Sequence, residues 1–111
     1  MITLEEGIKV TTEERDGSLL VIPEGPLTIY EVGELHQTFV TGFTDRRGLL
    51  LDLTGVTECD TAGVQLLCSA RKSAEENEAP FGIIGIAPAV LKALEACGLV
   101  PEKVFDLKEE V

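Results

Sequence analysis

The sequence contains no tryptophan, one tyrosine and four phenylalanines. With 44% hydrophobic residues, its core must therefore be aliphatic, packed from Leu, Val, Ile and Ala. Histidine is nearly absent too, since His36 is the only imidazole in 111 residues. Multi-histidine metal sites are thereby excluded, and the three cysteines, Cys59, Cys68 and Cys97, offer no C-x-x-C spacing in their place. An odd number of thiols, each beside apolar or small residues, reads as buried free cysteines. The expectation is a reduced, cytoplasmic protein with no metal and no cofactor.

Positive charge is scarce as well. Nine Lys and Arg stand against twenty Asp and Glu, a net charge of −11, and the only adjacent basic pairs are Arg46-Arg47 and Arg71-Lys72. Binding to a phosphate backbone needs clustered cations, so no nucleic-acid partner is expected, and a basic protein face fits the charge better. No apolar run approaches the roughly 20 residues that span a bilayer, so no membrane insertion is expected. The opening "MITLEEGIKV" lacks the basic and apolar segments of a secretory signal.

The residues that are present divide into alternating elements within one expected domain, 1–111. "IKVTTEERDGSLLVIPEG" reads as two strands joined at Asp16-Gly17, with Pro23, Gly25 and Pro26 closing the second. A helix follows, with Thr28 as N-cap, Glu31 completing a capping box, and Leu27 and Val32 forming a hydrophobic staple. Its apolar face is expected to be Val32, Leu35, Phe39, Val40 and Phe43, with His36 at the edge and Gly33 marking a close backbone approach. "GLLLDLTGV", residues 48–56, reads as one central buried strand, whose Asp52 caps N–H groups of the next loop. A second helix runs from Thr61 or Ala62 to about Glu76, with Gly63, Leu67, Ala70 and Ala74 as its packing row. "APFGIIGIA" is a strand, its two glycines signs of close packing. Pro88 then opens a third helix that Gly98 ends, with Val90, Leu91, Leu94 and Cys97 facing inward. "KVFDL" reads as a short last strand, and residues 107–111 as a frayed or helical end.

Hydrolytic chemistry finds no support in this order. A nucleophilic hydroxyl needs an adjacent base, and no signal links His36 to Thr61. There is no G-x-S-x-G elbow and no phosphate-cradling glycine loop. An enzyme is not expected. The remaining feature is "ECDTAG", residues 58–63. Asp60 and Thr61 are both good N-cap residues, and Gly63 permits close approach in the first turn. By spacing alone these residues start a helix, and the alternative, a hydroxyl presented for modification, stays open.

The stretch "LLLDLTGVTECDTAGVQLL" resembles the strand-loop-helix of STAS domains, the fold of bacterial anti-sigma factor antagonists. There, Asp, a hydroxyl residue, a small residue and Gly follow an L-D-L-T-G-V-like run. "EGPLTIYEVGELHQTF" and "FGIIGIAPAVLKALEACGL" resemble the family's first helix with its approach, and its next strand and third helix. The resemblance implies an α/β fold of STAS type, a mixed four- to five-stranded sheet with helices packed mainly on one side. It also implies a phosphorylation-regulated protein-binding module. Thr61 is then the phosphoacceptor, and Asp60, Thr61, Ala62 and Gly63 form the partner-binding stretch. The implied partner is a histidine-kinase-like serine/threonine kinase acting as anti-sigma factor, with a PPM-type phosphatase restoring the unmodified form. The family's acceptor is more often serine, and Ala62 stands where many antagonists carry a second hydroxyl. This variant also resembles STAS proteins of chemotaxis clusters, stress-signalling assemblies and lipid ABC transporters. In the last of these the domain is a constitutive accessory or scaffold subunit.

Overall fold

The computed structural model describes residues 2–3, 8–43 and 48–101, with the side chains of 2–3 and 41–43 outside that description. Its elements are β1 (Ile2–Thr3), β2 (Lys9–Arg15), β3 (Ser18–Leu27), α1 (Val32–Phe43), β4 (Gly48–Leu53), β5 (Val56–Cys59), α2 (Thr61–Glu76), β6 (Phe81–Ile86) and α3 (Pro88–Ala96). The expected strand "KVFDL", the expected terminal segment 107–111 and the side chain of Phe43 fall outside the described residues.

The hairpin forms at Asp16-Gly17, both with positive φ, as the tight two-residue turn requires. β2 and β3 pair antiparallel from Arg15 opposite Ser18 to Lys9 opposite Glu24. β3 then pairs parallel with β4, and β4 with β6, giving a row β1-β2-β3-β4-β6 in a mixed sheet. The strand β1, antiparallel to β2, was not legible in the sequence.

The alternating positions Val10, Leu19, Val21, Leu49, Leu51, Leu53 and Ile83 share one buried core with residues of all three helices. The core includes Leu35 and Phe39 of α1, Val64, Leu67, Ala70 and Ala74 of α2, and Val90 and Leu94 of α3. Since strand residues two apart share a face, the helices lie on that face of the sheet. On the other face Leu20 is buried, whereas Ile22 and Leu50 are partly exposed.

Two strand expectations change. β3 does not close at Pro23: it runs on to Leu27 and exchanges partners, shifting register at Gly25/Pro26 to pair parallel with β5. Gly25 takes a φ of 118°, a backbone state that L side chains rarely adopt, and so allows the change of direction. Likewise, 48–56 is not one strand. Asp52 Oδ1 accepts from the Thr54 N–H at 3.1 Å and from its hydroxyl at 2.6 Å, bending the chain at Thr54-Gly55 into β5. The expectation that Asp52 caps the next loop is met by the bond that splits the strand. Of the glycines in "FGIIGIA", Gly85 stands against Asp52 and Thr54, where a Cβ would lie 2.6 Å from Thr54 Cγ2.

α3 ends as its sequence signals. Gly98 has φ 78°, its N–H reaches Glu95 O at 2.9 Å, and Leu99 N–H reaches Leu94 O at 2.9 Å. Cys97 is nevertheless exposed rather than inward, because it occupies the C-cap where the helix already turns out. Val40 is also half-exposed, off the buried Leu35–Phe39 line.

Candidate functional site

The strand exchange positions the site. β3 and β5 end side by side, with Leu27 opposite Cys59, so the segments leading into α1 and α2 begin as neighbours. The Asp60 N–H donates to Leu27 O at 3.4 Å and closes the seam.

Asp60 is the N-cap of α2, with extended backbone at φ −115° and ψ −173°. Its Oδ1 accepts from the Gly63 N–H at 3.0 Å, supplying a partner for one of the helix's unpaired donors. Its Oδ2 accepts from the Ile29 N–H at 3.1 Å, across 31 residues of sequence. One carboxylate thus takes a backbone donor from each strand-to-helix junction.

Thr61, the first residue of α2, is exposed, and Ala62 is partly buried. Gly63 is buried against the seam, where an added Cβ would lie 2.5 Å from Leu27 O and 2.8 Å from Cys59 Sγ. Only hydrogen fits, and this lets the α2 N-terminus approach the end of β3. The four residues singled out in sequence therefore do sit together, with the hydroxyl outward and the glycine inward.

The Cys59 thiol beneath them is pushed up to about 11, by burial first, then by the Asp60 charge and by Cys97. It stays protonated at neutral pH and is a poor nucleophile. Burial also raises Cys68, against an opposing pull from Arg71. Cys59 and Cys68 are half-buried rather than fully enclosed.

The α1 junction differs from its expected form. The helix begins at Val32, and Thr28–Glu31 make a turn before it, with Glu31 N–H donating to Thr28 O at 2.9 Å. Glu31 is buried, and its Oε1 accepts from the Thr28 N–H at 3.0 Å and from the Thr28 hydroxyl. The Glu half of the capping box is present; the Thr28 hydroxyl donates to the carboxylate and accepts from the Tyr30 N–H at 3.5 Å, not from the Glu31 N–H that a capping box uses. This turn leaves Ile29, whose N–H meets Asp60, 65% exposed and Tyr30 88% exposed. Those two residues were missed because they were read as the first turn of a helix.

Between α1 and α2 runs an open groove of about 520 Å³, lined in part by Ile29, Val32, Gly33, His36, Ala62 and Gln65. Gly33 does not mark a close approach: a Cβ there would meet nothing within 4 Å. Among the described residues no three His, Cys, Asp or Glu side chains gather to hold a metal ion, and no helix is long and apolar enough to cross a membrane.

A family model for the Mlab STAS domain matches residues 10–101. The chain belongs to the STAS domain family. Comparison with curated proteins finds no match. This STAS domain is similar in fold to an anti-sigma factor antagonist from Mycobacterium paratuberculosis, with a TM-score of 0.80 and 22% identity over 99% of this chain and 92% of that one. A proposed anti-sigma factor antagonist from Thermotoga maritima gives 0.76 at 13% identity, covering 92% and 87%. A serine-to-glutamate variant of RsbS from Moorella thermoacetica gives 0.72 at 23% identity, covering 93% and 88%. At these identities the likeness establishes the fold of the STAS domain, and the site must speak for its chemistry.

Proposed function

We propose that this STAS domain is a protein-binding module of the anti-sigma factor antagonist type, without catalytic activity of its own. It docks a histidine-kinase-like serine/threonine kinase, the anti-sigma factor, while Thr61 is unmodified, and a PPM-type phosphatase reverses the modification. The observation that carries this reading is the placing of Thr61: an exposed hydroxyl on the first residue of α2, beside a carboxylate already engaged by two backbone donors. Each Asp60 oxygen takes one backbone N–H, so the carboxylate serves as a structural acceptor that joins the two junctions.

A phosphoryl group on Thr61 adds about −1.5 to −2 charges at pH 7. The first N–H groups of α2 and the helix dipole favour that charge, and Asp60 opposes it. The change falls on the docking face and leaves the core untouched, so modification alters what the surface can bind.

The test is calorimetric titration of wild type, Thr61→Ala and Thr61→Glu against the histidine-kinase-like ATPase encoded by the same genome, with a radiolabel assay from ATP. Thr61→Ala should bind as wild type and take no label. Facing an apolar part of the partner, inside any basic rim, Thr61→Glu should lose about 2–5 kcal/mol of binding, the cost of a charge buried there without a counterion. Equal affinity for all three with no label on wild type would instead favour a constitutive accessory or scaffold subunit, the reading supported by Ala62 in place of a second hydroxyl.

A further inference from the structure

We propose that Ile29 and Tyr30 are the apolar anchor of this domain's docking face, seated in an apolar, Lys/Arg-rimmed pocket of a partner protein, and that Asp60 is the positioning residue that holds the anchor in place. The proposal rests on the protein-binding part of the function above and does not require that Thr61 be modified.

Among the described residues four large apolar side chains are exposed, and two of them, Ile29 and Tyr30, are adjacent. Isolated exposed hydrophobics are ordinary, but a neighbouring pair that continues into a groove without Asp, Glu, Lys or Arg is a candidate contact surface. Ile29 itself lines the groove, with Val32, Gly33, Ala62 and Gln65. The lining, which also includes His36, holds no Asp, Glu, Lys or Arg in a chain of net −11, while the acidic Glu34 of α1 and Asp60 at the N-cap of α2 belong to the two helices that form it. Apolar centre with acidic rim calls for an apolar pocket with a basic rim.

The backbone carrying the pair is fixed before any partner arrives. Glu31 ties down Thr28 from one side, and Asp60 Oδ2 takes the Ile29 N–H from the other. A tyrosine on a preordered turn gives contact area at low entropic cost, which is how a few residues come to dominate an interface.

Asp60 is separable from a plain helix cap by chemistry. A carboxylate offers two acceptor oxygens, whereas the amide of Asn offers one oxygen and a donor. Asp60→Asn can still accept from Gly63 N–H, since Asn caps helices as well as Asp does, but it then presents an N–H₂ to the Ile29 N–H. The variant should keep α2 and release the anchor.

The experiment combines amide hydrogen exchange on the free protein with titration against the histidine-kinase-like ATPase. In Asp60→Asn the Ile29 amide should exchange at least about tenfold faster while Gly63 is unchanged, and affinity should fall about threefold to tenfold, as expected when a contact side chain must be ordered on binding. The polarisation decay of Tyr30, the only tyrosine in a chain without tryptophan, should quicken alongside. Ile29→Ser/Tyr30→Ser should lose about thirtyfold or more, the loss of a hot spot, with an unchanged denaturation midpoint. Wild-type affinity in that double variant overturns the anchor while leaving the binding function intact, as does concentration-dependent dimerisation that the double variant abolishes without affecting kinase binding. Unchanged Ile29 exchange in Asp60→Asn overturns the positioning role. No binding by wild type overturns the functional reading, and with it the docking half of the proposal; the exchange result still decides the role of Asp60.

Discussion

The two strand-to-helix junctions lie against each other, yet they start their helices by opposite means. The entry to α1 carries the fuller set of local signals: Thr28, Glu31, Leu27 and Val32 fit a capping box and staple. Its helix nevertheless starts four residues after Thr28. The entry to α2 has only Asp60 as its cap, and the helix begins at the very next residue. The difference lies in what holds each junction. Glu31 makes its bonds within four residues, to Thr28, so its turn is a local object that stands before the helix. Asp60 reaches 31 residues away, to Ile29, and Gly63 packs on the end of β3. Asp60 holds both junctions, but only at Gly63 does it bond inside the helix it starts; at Ile29 it holds a turn that precedes α1.

The sharpest break of this contrast is Gly63→Ala. The new methyl would stand against the Leu27 carbonyl and the Cys59 sulfur, and neither a strand backbone nor a half-buried thiol yields easily. A loss of about 3 kcal/mol in unfolding free energy is expected, at the upper end of overpacking costs, read from urea midpoints. Next comes Asp60→Ala, which removes the acceptors of both junctions. It should cost about 1–2 kcal/mol, the range of a lost N-cap, since the exposed Ile29 N–H can turn to water. Thr28→Ala should cost about 1 kcal/mol, only in part through the long bond that its hydroxyl accepts from the Tyr30 N–H at 3.5 Å. A hydroxyl donor to the buried Glu31 carboxylate disappears with it. Thr28→Ser retains that donor and should sit near wild type, whereas an equal loss in both would show that the methyl, packed at the seam, was responsible. The smallest effect has the opposite sign. Gly33→Ala meets open space and should stabilise by up to about 1 kcal/mol through helix propensity, seen as a raised midpoint.

Much of this was legible in the chain. Asp16-Gly17 specified the hairpin, because few residues accept positive φ at both turn positions. Pro88 and Gly98 bracketed α3, and the Leu67–Ala70–Ala74 row faced the core as its spacing required. The resemblance carried by "LLLDLTGVTECDTAG" led to the right family; in the stretch it singled out, Thr61 is exposed and Gly63 buried. These features depend on short-range sterics and on periodicity, which sequence records directly.

Other features were decided by contacts between distant segments. Pro23, Gly25 and Pro26 looked like the end of a strand because two of them lack an N–H and the third is flexible. They instead carry β3 from β4 to β5, since the partner, formed only after Asp52 bends the chain, makes continued pairing possible. Gly33 and Gly63 are alike in sequence, each at a helix start, yet one faces open space and the other a carbonyl at a distance only hydrogen tolerates. Sequence by itself determined the hairpin, the presence of the three helices, the aliphatic core and the family, because local propensity and apolar spacing suffice for them. Tertiary structure alone decided that Ile29 stands against Asp60, because that adjacency comes from the parallel pairing of Leu27 with Cys59 and from one carboxylate shared between two junctions.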